Sequence, residues 1–158
     1  MSILAILRYP DPRLQKVAQP VAQVDQAVAA GANYIVSPGT SRAVVERCQE
    51  HGIAVLPGAV TATEVQAALE LGLTTVKFFP AGTSGGAPAI KALSAPFGDV
   101  KFVPTGGVSA KNLHEYLAVP SIVAVGGSWM VDKALVNAGK FDEIAKLSAE
   151  AVALAVSL

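Results

Sequence analysis

The chain has 158 residues, 12 basic and 12 acidic, so its net charge is zero; 52% of it is hydrophobic and only 15% charged. That length supports one domain with a sizeable core, and the missing basic stripe removes the electrostatic footprint of a nucleic-acid binder. A single cysteine, Cys48, excludes an intrachain disulfide, and no apolar run reaches membrane-spanning length.

The first stretch is punctuated by Pro10, Pro12 and Pro20, and only Ile3–Leu7 reads as a strand. Met1–Leu7 lacks a basic leader and a small-residue cleavage site, so it is a poor signal peptide and a cytoplasmic location is expected. The composition changes near Asp25 to Ala29. From about residue 27 onward, short apolar runs alternate with helical patterns. The expected strands are Tyr34–Ser37, Ala54–Pro57, Thr75–Phe79, Lys101–Pro104 and Ile122–Val125, each closed by a Pro or Gly signal. Ser41–His51, Thr63–Leu71 and Ala110–Leu117 read as helices between them. Thr61, with Glu64 three residues on, offers a capping box, and Gly52 and Gly72 stand where helices end. This rhythm predicts βαβ units, a parallel sheet buried on both faces and chemistry at the carboxyl ends of the strands. So apolar a chain is also expected to self-associate.

Lys77 is the exception inside Thr75–Phe79. Alternation puts Thr75, Lys77 and Phe79 on one face, and Val76 and Phe78 on the other. A lysine in an apolar strand is either an edge residue that blocks aggregation or a desolvated amine. Desolvation favours the neutral, nucleophilic form, which attacks carbonyl carbon to give a Schiff base. The glycines at the later strand ends, Gly106-Gly107 and Gly126-Gly127, are ordinary βα turns or loops that let backbone N–H groups approach a phosphate.

Five runs carry a resemblance: Ile35-Val36-Ser37-Pro38-Gly39, Val55-Leu56-Pro57-Gly58, Val76-Lys77-Phe78-Phe79-Pro80-Ala81, Phe102-Val103-Pro104-Thr105-Gly106-Gly107 and Val125-Gly126-Gly127-Ser128-Trp129. In their order and spacing, residues 27–158 resemble the 2-dehydro-3-deoxy-6-phosphogluconate and 4-hydroxy-2-oxoglutarate aldolase family. The resemblance implies an α/β fold, a partial (β/α)8 TIM-type barrel with five parallel βα units recognisable. It implies a metal-free and cofactor-free class I aldolase that splits a phosphorylated 2-keto-3-deoxy sugar acid into pyruvate and glyceraldehyde 3-phosphate, in a family of trimers. By motif, Lys77 matches the Schiff-base lysine. Pro38, Phe79 and Thr105 match residues around the pyruvate moiety. Gly106, Gly107, Gly126, Gly127 and Ser128 match the phosphate loops.

The five strands match the family's fourth to eighth. Nothing matches the first three, and with them go the general acid/base glutamate of a Glu-Val-Thr-type motif, an arginine after it and the threonine of a Gly-Ala-Gly-Thr motif. No stand-in base is expected. Glu46, Glu50, Glu64, Glu70 and Glu115 fall on helices, as do Glu143 and Glu150, and Asp99 precedes a strand. Asp132, alone near the correct rim, reads as a helix cap. In the N-terminal arm, residues 1–26, the run Met1-Ser2-Ile3-Leu4-Ala5-Ile6-Leu7-Arg8-Tyr9-Pro10-Asp11-Pro12-Arg13-Leu14 through Pro20-Val21 resembles the start of bacterial peptide deformylase, but that enzyme's His-Glu-x-x-His motif is absent. Cys48 and His51 are too few for a zinc site. The resemblance and its gaps imply an aldolase with impaired turnover, or an inactive remnant that binds phosphate or self-associates; a deformylase-type metalloenzyme rests only on the arm.

Overall fold

The computed structural model describes residues 24–29 and 31–157. The chain order is α1 (Val24–Ala29), β1 (Tyr34–Val36), α2 (Arg42–Glu50), β2 (Ala54–Leu56), α3 (Ala62–Glu70), β3 (Thr75–Phe78), α4 (Gly86–Ser94), β4 (Lys101–Pro104), α5 (Leu113–Leu117), α6 (Lys133–Asn137) and α7 (Phe141–Val156). β1 pairs parallel with β2, Ile35 opposite Val55, and β3 pairs parallel with β4, Lys77 opposite Val103.

Two prolines decide how these pairs join. A proline has no N–H to give to a ladder. At Pro57 the bonding between β2 and β3 therefore starts late: Lys77 N–H donates to the Pro57 carbonyl and Ala59 N–H to the Lys77 carbonyl, both at 2.8 Å, around a Gly58–Lys77 bridge. Pro104 acts likewise on the last expected strand. Ile122–Val125 is not a continuous strand but two bridges, Phe102 to Ile122 and Thr105 to Gly126. Three steps from Phe102 to Thr105 face four from Ile122 to Gly126, so one extra residue is accommodated as in a bulge. Gly126 N–H, not Val125 N–H, reaches the Pro104 carbonyl at 2.9 Å. Parallel bonding thus runs from β1 through β2, β3 and β4 to this segment, and the sheet does not close into a barrel among the described residues.

The local signals act largely as read. Thr61 and Glu64 form the reciprocal capping box at α3, and Gly52 and Gly72 take positive φ just past α2 and α3. α5 is shorter than Ala110–Leu117 because Asn112 Oδ1 accepts from Ser109 N–H at 2.8 Å, holding those residues in a turn. α4 was hidden in the sequence by Gly85, Gly86 and Pro88. Pro88 falls in the first turn, whose N–H groups need no intrahelical partner.

The outer face of the sheet holds the main core. Val76, Phe78, Phe102 and Ile122 are buried with Val65, Ala68, Ile90, Leu113 and Tyr116 from the helices. Phe78 and Phe102 meet edge to face, centroids 6.4 Å apart. A smaller core joins Val24 of α1 to Ile35 and Cys48. The inner face is open: Tyr34 is 61% exposed and Val123 55%. No described helix is long and apolar enough to cross a membrane. The expected arm, residues 1–26, lies outside the described residues apart from Val24–Gln26, which open α1.

Candidate active site

β3 has a bonded neighbour on each side, so Lys77 is not an edge lysine. Its backbone is fixed by Pro57 and Ala59 on one flank and by the Val103 pairing on the other. Val76 and Phe78 are fully buried and Lys77 is half-buried on the opposite face. Its desolvation is only partial, because nothing described covers the inner face. The Lys77 ammonium instead lies 4.6 Å from the centroid of the Phe79 ring.

Loops beyond the strands continue the ladder. Ala81 N–H donates to the Thr105 carbonyl and Gly82 N–H to the Gly106 carbonyl, both at 2.8 Å. This zips the Pro80–Gly82 turn against Thr105–Gly107. Gly106 and Gly107 have φ of +82° and +84°, and a Cβ on Gly106 would stand 2.9 Å from Phe79 Cε2. The Thr105 hydroxyl is buried with no hydrogen-bond partner, and its methyl lies against Gly126. Lys77, Phe79, Thr105, Gly106, Gly107 and Gly126 are therefore brought together at one rim. Gly127 lies against the Trp129 ring, which leaves no room for a side chain. Pro38 stands at the end of β1, where its carbonyl packs on Gly58, and Thr40 Oγ1 donates to the Gly58 carbonyl at 2.9 Å. Gly82 is a structural partner that sequence reading did not single out, and Gly58 was read only as part of a strand-end run, without a packing role. Their signal is only a glycine at a turn.

The amides of Gly106, Gly107, Gly127 and Ser128 donate to no acceptor among the described residues. Two adjacent loops thus offer unused N–H groups, the chemistry that an oxyanion needs. Acids are not added to this rim. Asp132 caps α6, accepting from Ala134 N–H at 2.7 Å. No acidic side chain among the described residues pairs with Lys77. Away from the rim, Cys48 is buried, which raises its thiol above the usual range. His51 lies 3.0 Å from Asp25, whose carboxyl is held below its ordinary range first by Arg47 and then by His51. No group of three potential metal-ligating side chains occurs among the described residues.

Residues 17–147 match the aldolase family described as KDPG and KHG aldolase. The chain is 48% identical over 128 residues to a 2-dehydro-3-deoxy-phosphogluconate aldolase of Treponema pallidum, covering 81% of this chain and 61% of that protein. It therefore spans about three fifths of the length of such curated relatives. Among solved structures it is similar to a KDPG aldolase from Legionella pneumophila, with pyruvate captured at low pH as a covalent carbinolamine intermediate. There the TM-score is 0.76 at 40% identity, over 78% of this chain and 60% of that one. It is also similar to the 2-keto-3-deoxy-6-phosphogluconate aldolase of Zymomonas mobilis with 3-phosphoglycerate, at TM-score 0.68 and 43% identity, over 70% of this chain and 53% of that one. The chain belongs to the KDPG and KHG aldolase family.

Proposed function

We propose that this chain carries the Schiff-base half of a class I aldolase acting on a phosphorylated 2-keto-3-deoxy sugar acid. The observation that carries the reading is Lys77 on the inner face of a doubly bonded strand, with a buried, unpartnered Thr105 hydroxyl just past the end of the neighbouring strand. The Lys77 amine adds to the keto carbonyl to give a carbinolamine, and loss of water leaves a protonated imine. That imine accepts the electron pair of the carbon–carbon bond as it breaks. Pro38, Phe79 and Thr105 would flank the pyruvate portion. The free amides of Gly106, Gly107, Gly127 and Ser128, with Gly126 beside them, would take the phosphate. The covalent pyruvate of the Legionella relative and the phosphorylated ligand of the Zymomonas relative support both assignments.

Cleavage also needs a base for the hydroxyl proton of the substrate. With Asp132 engaged as a cap, the described rim supplies none, and a missing general acid/base costs about 10²–10⁴ in rate. Turnover is therefore impaired relative to the adduct-forming step. We read the sheet as five of the eight βα units of a TIM-type barrel, in a cytoplasmic protein that self-associates, a trimer by family likeness. The alternative, an inactive remnant that binds phosphate or self-associates, is favoured by the open inner face.

Borohydride reduction in the presence of pyruvate, followed by peptide mass analysis, tests the reading. An adduct is expected on Lys77, and the Lys77→Ala variant is expected to give none. A soluble wild-type chain that gives no Lys77 adduct overturns it. A coupled assay for pyruvate release separates the two alternatives, since the remnant yields no cleavage.

A further inference from the structure

We propose that Phe79 is a positioning residue that holds the Lys77 ammonium on its ring face, and that Gly106 is a glycine because it seats that ring. The inference rests on the Schiff-base reading but concerns how the amine is held rather than what it attacks.

Three observations meet here. Lys77 Nζ lies 4.6 Å from the Phe79 ring centroid, within the range of a cation–π contact. Phe79 is 37% exposed, so deep burial does not fix its ring. The ring instead lies against Gly106, where an added Cβ would meet Phe79 Cε2 at 2.9 Å and Cδ2 at 3.0 Å. This seat is rigid. The Gly106 carbonyl accepts from Gly82 N–H and the Thr105 carbonyl from Ala81 N–H, which ties the seat to the turn that follows Phe79.

The physical need is clear from the lysine. Its four-carbon stem has many rotamers, and no acidic partner among the described residues restrains its head. A reaction that depends on the approach of one nitrogen to one carbon is slowed when that nitrogen wanders. The ring restricts it while opposing proton loss less than a carboxylate in ion-pair contact would, and that proton must leave before the amine attacks.

The test compares wild type with Phe79→Tyr, Phe79→Leu, Gly106→Ala and the Phe79→Leu/Gly106→Ala double variant. The first readout is the initial rate of the reductively trapped pyruvate adduct on Lys77. Phe79→Leu is expected to lose about fivefold, as suits one cation–π contact, and Phe79→Tyr to lose less than Phe79→Leu. Gly106→Ala is expected to slow trapping in the wild-type background and to add no further loss to Phe79→Leu. That lack of additivity separates a displaced ring from backbone strain at Gly106, which acts in both backgrounds. The second readout needs no substrate: the Lys77 ε-methylene protons should show an upfield ring-current shift in wild type and Phe79→Tyr. The shift should vanish in Phe79→Leu. Wild-type protein with no such shift, or trapping by Phe79→Leu as fast as wild type, overturns the proposal and leaves the Schiff-base reading standing. A ring-current shift with no adduct in wild type does the reverse.

Discussion

In the proposed reading, Thr105 is the residue at the rim that trades stability for chemistry. Its hydroxyl is buried and bonded to nothing, and an unsatisfied buried hydroxyl costs about 1–3 kcal/mol. Thr105→Val keeps the shape and removes that cost. We expect denaturant melts to show stability unchanged or raised by about 1 kcal/mol, while the rate of pyruvate trapping falls about tenfold, the loss of one hydrogen bond to a charged or developing charge. Equal losses of stability and rate would mean that the hydroxyl only packs. Gly58 belongs to the same scale. Any side chain there collides with the Pro38 carbonyl, so the first two strand ends close on each other only because this position is a glycine.

At the scale of elements, α3 follows the Gly58 loop and opens on the Thr61–Glu64 box. The Glu64 carboxylate accepts from Val60 N–H at 2.8 Å and Thr61 N–H at 2.9 Å. The Val60 amide first, then the Thr61 hydroxyl and amide, hold its carboxyl below the ordinary value. A carboxyl lowered in the folded state stabilises above its unfolded pKa of about 4.3, and that contribution is lost as the pH falls through the folded value. Wild type should therefore lose stability on acidification through and below that region, and Glu64→Gln should show a flatter pH profile there. Urea melts at stepped pH values check it; parallel profiles would remove Glu64 from the account. Thr61→Ala should cost about 1 kcal/mol at neutral pH. The ladder belongs here too. Pro57 and Pro104 each delete one donor, and the site lies where bonding resumes beyond them, at Lys77 and at Thr105–Gly126.

For the whole molecule, the governing feature is the uncovered inner face. Tyr34, Val36, Phe79 and Val123 are large apolar residues exposed on it, and β1 presents an edge with no partner among the described residues. Surfaces of this kind associate. The solution mass should rise with protein concentration, and added salt should not reverse it, because the driving force is apolar burial. The Tyr34→Lys/Val123→Lys double variant should lower the association with no change in far-UV circular dichroism. A chain that stays monomeric at every concentration in light scattering would remove this prediction.

Much was legible from local chemistry. The βα rhythm, the Thr61 box, the glycines past α2 and α3, the Asp132 cap and the side of β3 that carries Lys77 all depend on residues within a few positions of one another. The sequence alone therefore determined them, because alternation and capping are short-range consequences of backbone geometry. Ile122–Val125 was misread for the complementary reason. Its pairing depends on Pro104, which lies far along the chain and cannot donate. Only the tertiary structure decided that Lys77 sits in an interior strand, that Gly58 faces Pro38, and that Gly106 seats Phe79 beside the ammonium. Each of these turns on which remote backbone lies alongside, and parallel sheets set that by pairing strands that a helix separates in sequence.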